Sequence, residues 1–571
     1  MTSHQKEALD FISQREADAT PQPFSLWRRH TDTFQRQYYQ NLVLGYRRSQ
    51  LPDENFGGII ADEMGLGKTL TMLSAIFMSK GRGSQRIYRN VQTGRLGVSQ
   101  LSTAATLVIV PSALVLENWI EEAQRFVIHL LQRLSVSWKC TGVFRYRMKP
   151  VQQNYKFLES DVVLTTYATL TSDYRRGTST LSNVHWLRIV LDEAHSIRHQ
   201  RTKQFYAVSA LSAEYRWCLT GTPIQNQLDD LGALVRFLRI PMFDQPSSFQ
   251  TSISRPIERG NSTGADRLRH LLKAVCIRRK KDRLNLPEPE ELTQHVDMTQ
   301  EETAEYSRIG QHYRQAIDDA VSGISKSKEY NGLFQAILQL RIFCNHGTLT
   351  WENSNSQTTS SSADETLALL QQTDQAICDH CSCDIATVGE DGDGQSAHFT
   401  LCSHLLCQGI VFSCWKKTIH LAGSFLAAHG ISTVTVDGSM TLTERQTALE
   451  RFRKDSNVNV LLMTLGTGAV GLNLTVATRI HILEPQWNPL QESQAIGRAI
   501  RLGQKKQVTV VRYIARNSVE TYIQCRQSKK LYLARLGWDA EDETEEAKLK
   551  KLADLKSLLS LETGTEVPMV R

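Results

Sequence analysis

Residues 61–70, ADEMGLGKTL, have the types and spacing of a loop that binds the phosphates of a nucleotide. Gly65 and Gly67 let the backbone curl around phosphate oxygens, while backbone N–H groups and the N-terminus of a following helix hold the negative charge. Lys68 would reach the β- and γ-phosphates, and Thr69 would ligand Mg²⁺. Asp62 stands where such loops usually have their first glycine. The residues predicted to bind the cofactor here are Asp62, Glu63, Met64, Gly65, Leu66, Gly67, Lys68 and Thr69.

Two carboxylates follow an apolar run in IVLDEAH, residues 189–195. They would lie at the carboxyl edge of a strand, which is where α/β sheets bind their ligands. Asp192 would hold Mg²⁺, directly or through water, and Glu193 would orient and polarise an attacking water. An acidic pair after a strand is usually a solvated turn, but the phosphate loop earlier in the chain favours a catalytic pair.

Two further segments carry polar residues after apolar runs. LTGTPIQN (219–226) is rich in turn residues and is a weak signal alone. In QAIGRAIRLGQ (494–504), Arg498 and Arg501 are three residues apart, so on a helix they would share one face. Two guanidinium groups on one face match the charge of a polyphosphate transition state. The alternative is a solvated basic face.

Short apolar runs that end in polar residues predict the strands that position these motifs. Such runs are typical of parallel strands buried on both faces. Because helical patterns such as LENWIEEAQRF (116–126) alternate with them, they predict an α/β fold with doubly wound parallel sheets. The first lobe contains TLVIVPS (106–112), DVVLTTY (161–167), RIVLDEAH (188–195) and WCLTGTP (217–223). The second contains IVFSCW (410–415), STVTVDG (432–438), NVLLMT (459–464), RIHILEP (479–485) and VTVVRYI (508–514).

The composition is typical of globular domains, with 41% apolar and 22% charged residues. A chain of 571 residues is too long for one core, so we expect several domains. The net charge of +7 is compatible with a polyanionic partner. The chain has no apolar run long enough to span a membrane and no signal pattern at its start, and its scattered cysteines favour a reducing compartment.

Composition and pattern divide the chain into six predicted segments. NSNSQTTSSSADE (353–365) has too little apolar surface to fold, which marks a linker. The segments are lobe 1 at 1–255, a helical connector at 256–350, a Ser/Thr-rich linker at 351–375, a degenerate RING-like remnant at 376–409, lobe 2 at 410–535 and a charged C-terminal helix or tail at 536–571.

In their order along the chain, these motifs resemble those of superfamily-two helicase-like ATPases. More narrowly, the chain resembles the Swi/Snf family of ATP-dependent DNA translocases, from HQKEAL at residues 4–9 to about residue 530. LQLRIFCNH (338–346) and the RING-like insertion resemble the RING-bearing post-replication-repair subgroup. The segments that carry the resemblance are DEMGLGKT, DEAH, LTGTPIQN, VFSCW, DGSM, GAVGLNLT, EPQWNP and QAIGRAIRLGQ.

The resemblance implies two RecA-like lobes with an insertion between them. It also implies that ATP and Mg²⁺ are bound and that hydrolysis drives stepping along double-stranded DNA in the nucleus. Chromatin or repair proteins would be its partners, and no membrane is involved. Gln5 would contact the adenine, and Gln494, Arg498 and Arg501 match an arginine-finger motif that completes the site when the lobes close.

Further residues match family motifs that contact DNA or the nucleotide. DNA contacts of this kind are made mostly to phosphates and do not identify a sequence. Thr220, Thr222 and Gln225 would link hydrolysis to the DNA strand, and Gly468, Gly471 and Asn473 would lie near the DNA backbone and the nucleotide. The candidates for phosphate contacts are Ser112, Thr165, Thr166 and Arg445.

The segment LCSHLLCQGIVFSCW (401–415) joins a RING-like pattern directly to a predicted strand. Ile410 stands where the sixth zinc ligand of a RING belongs, and structural zinc is nearly always four-coordinate. We therefore expect no zinc, although one residual site completed by Cys383 or Cys414 stays open, and we do not transfer ubiquitin-ligase activity. The ligands with RING spacing are Cys378, Cys381, Cys402, His404 and Cys407.

Three alternatives belong to other functional classes. A catalytically impaired paralogue would act as a DNA- or protein-binding scaffold, but decay would usually remove one of the motif residues, and all of them are present. A zinc-dependent ubiquitin ligase is disfavoured by the missing ligands. An RNA helicase is disfavoured because LNLT (472–475) and EPQWNP (484–489) resemble DNA translocases more closely.

Overall fold

The computed structural model describes most of both predicted lobes. The described residues are 2–17, 20–52, 54, 57–79, 101–134, 143–145, 156–177, 180–225, 227–241, 243, 245–280, 287–321, 329–347, 409–455, 458, 460–468, 474–501, 504 and 506–535. They form two compact units, and in the segment between the lobes the described residues up to 280 belong to the first unit and those from 287 to the second. Each unit is described by itself.

The first unit is built on a seven-stranded parallel sheet with the order β10-β4-β9-β8-β5-β7-β6. Strands β4 and β8 are buried along their whole length because helices cover both faces of the sheet. The strands of this unit are β1 (Trp27–Thr31), β2 (Gln37–Asn41), β3 (Arg47–Arg48), β4 (Gly57–Ile60), β5 (Leu101–Val110), β6 (Val143–Arg145), β7 (Val162–Thr166), β8 (Val184–Leu191), β9 (Ser212–Leu219) and β10 (Cys276–Ile277).

Amphipathic helices pack their apolar faces on this sheet. Leu231 and Leu234 lie in the same core as Ile189 of β8. A π-helical turn at Gln250–Ser254 interrupts the last helices. The helices are α1 (Ser3–Arg15), α2 (Lys68–Met78), α3 (Ala113–Leu134), α4 (Tyr167–Arg175), α5 (Lys203–Ser209), α6 (Asp229–Phe237), α7 (Pro246–Phe249), α8 (Arg255–Glu258) and α9 (Ser262–Val275).

Strands β1, β2 and β3 form a separate antiparallel sheet of the first unit. Trp27 of β1 is buried in the core of the unit, together with Val43 from the turn after β2. The sequence analysis did not predict this sheet, because its strands are rich in arginine, glutamine and tyrosine rather than apolar residues.

The second unit contains a six-stranded parallel sheet with the order β11-β16-β15-β12-β14-β13. Its strands are β11 (Glu290–Val296), β12 (Gly409–Ser413), β13 (Thr433–Val436), β14 (Val460–Thr464), β15 (Arg479–Ile482) and β16 (Thr509–Ala515). Its helices are α10 (Gln300–Val321), α11 (Glu329–His346), α12 (Lys416–Ala428), α13 (Leu442–Lys454), α14 (Leu465–Gly468), α15 (Pro489–Ile496) and α16 (Val519–Arg535), of which α16 belongs to this unit up to Lys530.

The predicted fold class, two α/β lobes with parallel sheets, is confirmed. The predicted helical connector at 256–350 is not one segment in the structure, because its two halves belong to different units. Helix α9 leads into β10, which pairs with β4 of the first sheet. Strand β11 pairs with β16, and Leu338 and Ile342 of α11 pack on Trp415, so this half belongs to the second unit.

Three predicted segments lie outside the described residues, namely the linker, the RING-like remnant up to residue 408 and the C-terminal helix or tail from residue 536. Within the described part of the chain, no helix combines the length and the apolar character needed to cross a membrane.

Candidate active site

Three neighbouring strands of the first sheet end in the predicted motif residues. Strands β4, β9 and β8 are adjacent and parallel, so their carboxyl ends meet at one edge. The N–H group of Thr220 after β9 donates to the carbonyl of Ile60 in β4, at 3.1 Å. The N–H group of Asp192 after β8 donates to the carbonyl of Ile109 in β5, at 2.9 Å. The phosphate loop, the acidic pair and the start of LTGTPIQN (219–226), which we call the third motif, therefore share one edge.

The loop from Ala61 to Gly67 needs its glycines because of their backbone angles and because there is no space for a side chain beside Gly67. Gly65 and Gly67 have φ angles of 91° and 80°, a left-handed region that favours glycine. A Cβ atom on Gly67 would also lie 2.6 Å from Nε2 of Gln5. Gly67 is the N-cap of α2, so it sets the direction in which the helix leaves the loop.

The ammonium group of Lys68 is held by carbonyls of its own loop. Nζ donates to the carbonyl oxygen of Asp62 at 2.7 Å and lies 3.5 Å from that of Glu63. Thr69 follows in the first turn of α2 and is half-buried. The cation therefore lies within the curve of the loop, where phosphate oxygens would replace the carbonyls as its partners.

The side chain of Asp62 has a different role from the one expected of a phosphate-binding residue. It is 1% exposed and forms a buried ion pair with Arg279. Oδ1 accepts from Nε of Arg279 at 2.8 Å and from its backbone N–H at 3.1 Å, and Oδ2 accepts from Nη2. The carboxylate thus fixes the loop to the segment after β10, and only the backbone of Asp62 remains available to a nucleotide.

The side chains of Met64 and Leu66 also pack against other parts of the protein. Leu66 is 1% exposed, and Met64 packs on the third motif, with its methyl group 3.2 Å from the position of a Cβ on Gly221. These residues therefore contribute backbone groups to the loop, as the motif chemistry expects.

The N-terminus of α1 supports the phosphate loop. Gln5 is buried, accepts the N–H group of Thr2 at 3.0 Å and places its amide beside Gly67. The ring of His4, which the sequence analysis did not single out, has Nε2 3.1 Å from the carbonyl oxygen of Leu66. A contact of Gln5 with adenine stays a prediction.

Asp192 is a buried carboxylate with two donors. Oδ2 accepts from Nε1 of Trp119 at 2.8 Å, and Oδ1 accepts from the backbone N–H of Glu193 at 3.0 Å. Burial and then the charge of Glu193 raise the pKa of Asp192 to about 6, although the Trp119 hydrogen bond and the charge of Lys68 oppose the rise. Trp119 therefore fixes the orientation of the carboxylate.

Glu193 has a strained backbone. Its φ of 46° lies in the left-handed region, which costs a residue other than glycine about 1–3 kcal/mol. Such strain occurs most often at functional sites, where the surrounding structure holds the residue in place. Oε2 of Glu193 lies 3.4 Å from Nδ1 of His195, a further residue that the sequence analysis did not select.

The residues at this edge fit a Mg²⁺–nucleotide complex. Mg²⁺ prefers oxygen ligands and usually combines one or two carboxylates with waters and substrate phosphates. Asp192 offers a carboxylate, and a dication beside it would offset the cost of burying the charge. Within the described ranges, no group of three or more His, Cys, Asp or Glu side chains could hold a metal ion by itself.

The predicted arginine pair lies in the second unit, and its local structure differs from the expectation. Helix α15 contains Gln494, which is 6% exposed, but it ends at Ile496. Arg498 and Arg501 therefore lie in the turns that follow, both half-buried, and not on one helical face. Glycine has a low helix propensity, so Gly497 is a natural place for the helix to end. Gly471 and Asn473 lie outside the described residues, and Gly468 ends α14.

The candidates for DNA contacts differ in accessibility. Thr165 is fully buried, so its side chain cannot contact a phosphate in this conformation. The Thr166 hydroxyl accepts the N–H group of Thr169 and caps α4. Ser112 is half-buried, and Nη2 of Arg445 donates to the carbonyl of Gly438 at 2.6 Å.

The third motif is fixed by hydrogen bonds of its own. The Thr220 hydroxyl donates to the carbonyl oxygen of Thr222 at 3.1 Å. The backbone N–H of Gln225 donates to Oδ2 of Asp230 at 3.0 Å. These contacts hold the turn after β9 in one shape beside the phosphate loop.

Comparison with known families gives two matches along the chain. Residues 4–349 match the family described as the SNF2-related domain. Residues 398–503 match the helicase conserved C-terminal domain. Together the matches include the phosphate loop, the acidic pair and the arginine pair.

Three relatives illustrate the similarity to whole proteins. The SWI/SNF-related matrix-associated actin-dependent regulator of chromatin subfamily A member 3-like 1 of Arabidopsis thaliana is 28% identical over 98% of this chain and 74% of its own length. DNA repair protein RAD5B of the same plant is 26% identical over 96% of this chain and 51% of its own. The Homo sapiens helicase-like transcription factor is 28% identical over 80% of this chain and 53% of its own.

This chain therefore spans about three quarters of the first relative and about half of the other two. Among solved structures, the Sulfolobus solfataricus SWI2/SNF2 ATPase core in complex with dsDNA is 24% identical, with 87% of this chain and 92% of that chain covered and a TM-score of 0.34.

Proposed function

The chain belongs to the SNF2-related family of helicase-like ATPases, and we propose that it couples ATP hydrolysis to movement along double-stranded DNA. The observation that carries the proposal is the common edge of β4, β9 and β8, where the phosphate loop lies with the buried carboxylate of Asp192 and the partly exposed one of Glu193. Phosphoryl transfer needs positioning and charge stabilisation more than covalent chemistry, and these loops offer both.

Each residue at the edge has a distinct task in this proposal. Lys68 exchanges its loop carbonyls for the β- and γ-phosphates of ATP. Asp192 and Thr69 supply oxygen ligands to Mg²⁺, which neutralises charge on the phosphates when bound. Glu193 orients the attacking water, and its strained backbone is consistent with a residue that is held in place for this purpose.

The arginine pair of the second unit would complete the reaction. We propose that Arg498 and Arg501 stabilise the charge that develops on the transferred phosphoryl group, as guanidinium groups do in related reactions. Gln494 is buried next to them and would position this segment rather than carry charge.

The names of the relatives support DNA as the polymer along which the chain moves. Their names describe a regulator of chromatin and a DNA repair protein, which suggests the nucleus as the compartment and chromatin or repair proteins as partners. We expect contacts to be mostly with phosphates, so that binding falls steeply with salt and depends little on sequence. Of the candidate zinc ligands, Cys414 alone lies in the described part of the chain, where its Sγ accepts from Nε2 of Gln486. The absence of zinc stays a prediction.

Movement can be tested by displacement of a fluorescent third strand from a duplex that carries a triplex-forming site. We expect release by the wild type only when ATP is present, and no release by Lys68→Ala. Lys273→Ala, an exposed lysine of α9, serves as the matched control and should behave like the wild type.

Two results bear on the proposal in different ways. ATP-dependent release supports movement along the duplex. If duplex DNA stimulates hydrolysis but the third strand stays bound, the chain is a DNA-dependent ATPase that does not translocate, and this part of the proposal is wrong.

A further inference from the structure

The antiparallel sheet β1–β3 presents a basic and aromatic face away from the core. Residues directly opposite each other in an antiparallel pair have their side chains on the same face. Arg28 pairs with Gln40, His30 pairs with Tyr38, and Gln40 also pairs with Arg47. Trp27 pairs with Asn41 on the other face, which is the one that packs into the unit. We call the face with Arg28, His30, Tyr38, Gln40 and Arg47 the basic sheet face.

The charged residues of this region are almost all basic. Between Trp27 and Arg48 the chain has five arginines and a single acidic residue, Asp32. The Asp32 carboxylate is used in the turn, where Oδ1 accepts the N–H groups of Phe34 at 2.9 Å and Arg36 at 2.7 Å. Arg28 and Arg47 are exposed, and within the described part of the chain neither forms an ion pair with a carboxylate. The face therefore has the charge that complements a polyanion.

Aromatic side chains are placed among these charges. His30 stacks on Tyr38 with ring centroids 5.5 Å apart, and the guanidinium of Arg47 lies 4.9 Å from the Tyr38 ring centroid. Phe34 is 79% exposed at the β1–β2 turn, and Tyr46 is 59% exposed just before β3. The Asp32 hydrogen bonds fix the turn, so Phe34 is presented to solvent in a defined position.

We propose that the basic sheet face, with Phe34 and Tyr46 at its margins, binds single-stranded DNA. Proteins that bind single strands combine cationic side chains along the backbone with aromatic rings on which unpaired bases stack. In a duplex the bases are already stacked on each other, so the exposed rings favour an unpaired strand. The alternative is a basic face that contacts only solvent. It would explain the arginines, but it would not explain why the ring of Phe34 is exposed. The proposal goes beyond movement along the duplex, because it requires neither ATP nor the catalytic edge.

The test is fluorescence anisotropy of a labelled oligothymidylate with the full chain, without nucleotide, over a series of salt concentrations. We expect Arg28→Gln/Arg47→Gln to weaken binding about tenfold and to lower the slope of log K against log salt by about 0.7 for each lost phosphate contact. Phe34→Ala should weaken binding several-fold, roughly the loss of one stacked base, and leave the salt slope unchanged.

The matched control is Arg255→Gln/Arg259→Gln, which removes the same charge from two exposed arginines of the first unit outside this sheet. It should bind like the wild type. Phe34 makes few packing contacts at 79% exposure, so Phe34→Ala tests the site even if the arginine variant unfolds, and thermal unfolding checks both.

Three outcomes would overturn the proposal. These are failure of the wild type to bind oligothymidylate, equal loss in the control and sheet variants, and wild-type affinity in both sheet variants. Because the assay contains no ATP, its failure leaves duplex-stimulated hydrolysis untouched. Failure of the translocase proposal likewise leaves this assay valid.

Discussion

At the scale of single residues, Asp62 shows how a motif residue can serve the site without touching the ligand. It stands at the usual position of a glycine, and its carboxylate is paired with Arg279 in the interior of the first unit. The pair joins the start of the phosphate loop to the segment after β10. The position of Lys68 and its loop therefore depends on an interaction with a distant part of the chain.

Replacing Arg279 with alanine should destabilise the first unit by about 3–5 kcal/mol, because a buried carboxylate loses its partner. The displaced loop should also raise the KM for ATP. Urea unfolding and steady-state hydrolysis measure the two effects. Lys280→Ala, an exposed neighbour, should change the free energy of unfolding by no more than about 0.5 kcal/mol. Equal stability of the two variants would show that the ion pair does not anchor the loop.

The sequence predicted the chemistry of single residues where the signal is local. The spacing of Gly65, Gly67 and Lys68 predicts a phosphate loop without a structure, and the binding of phosphate by this loop stays a prediction. Arg279 could not be found in this way, because its partner is 217 residues away and the run around it reads as a solvated basic segment. Trp119 was visible only as an aromatic residue in a helical pattern, and the donor role of its indole N–H needs the fold.

At the scale of elements, α1 and α2 meet through the contact between Gln5 and Gly67. Gly67→Ala should lower the rate of ATP hydrolysis at least about tenfold, because left-handed backbone is unfavourable for alanine and its Cβ would lie 2.6 Å from Gln5. Gly177→Ala has a similar φ of 67° with no atom within 4 Å, so it tests backbone strain alone and should leave hydrolysis near the wild-type rate.

The double variant Gly67→Ala/Gln5→Ala separates the two causes. It removes the collision but not the strain, so hydrolysis should recover in part when it is measured at saturating ATP, where loss of the predicted contact between Gln5 and adenine matters least. Equal rates for Gly67→Ala and Gly177→Ala would contradict a steric role for the contact between the helices.

Strands β12 and β15 of the second unit are joined by a buried carboxylate, Glu484. It accepts from the Ser413 hydroxyl at 3.0 Å and from the Cys414 backbone N–H. Burial raises the pKa of Glu484 from about 4.5 to about 7, and the charge of Arg341 offsets only part of that. The folded state therefore binds this proton more tightly than the unfolded state, so this group's contribution to stability is full below about pH 4.5 and falls as the pH rises to about 7.

Glu484→Gln should abolish the loss of stability that ionisation of Glu484 causes as the pH rises. Relative to the wild type, the variant should gain up to roughly 3 kcal/mol in free energy of unfolding between about pH 5 and pH 8. Denaturant unfolding at a series of pH values measures the difference. Glu450→Gln, an exposed carboxylate of α13, should show no such trend. A constant difference between wild type and Glu484→Gln would contradict the raised pKa.

The elements that the sequence predicted are those with a buried apolar pattern. Each apolar run of both lobes became a strand of a parallel sheet, because burial on both faces leaves an unambiguous signal. Strand β11 was missed because every residue in EELTQHV is exposed and no apolar pattern marks it. Helix α9 was assigned to the connector because its amphipathic pattern does not show which unit it packs against.

At the scale of the whole molecule, the two units carry different sets of the motif residues. The first holds the phosphate loop and the acidic pair, and the second holds the arginine pair. Sequence order alone was enough to predict this division, because the motifs occur in the order of a known family. The central claim is that both sets of residues act in one reaction that depends on duplex DNA.

The most direct measurement is ATP hydrolysis by the purified full chain, with and without double-stranded DNA, for the wild type, Lys68→Ala and Arg501→Ala. We expect duplex DNA to raise the rate well above background and each substitution to abolish the stimulated rate. Arg259→Ala, an exposed arginine of the first unit, should keep it. If neither duplex DNA nor the two substitutions change the rate, the motifs do not form a working ATPase and the chain acts as a scaffold.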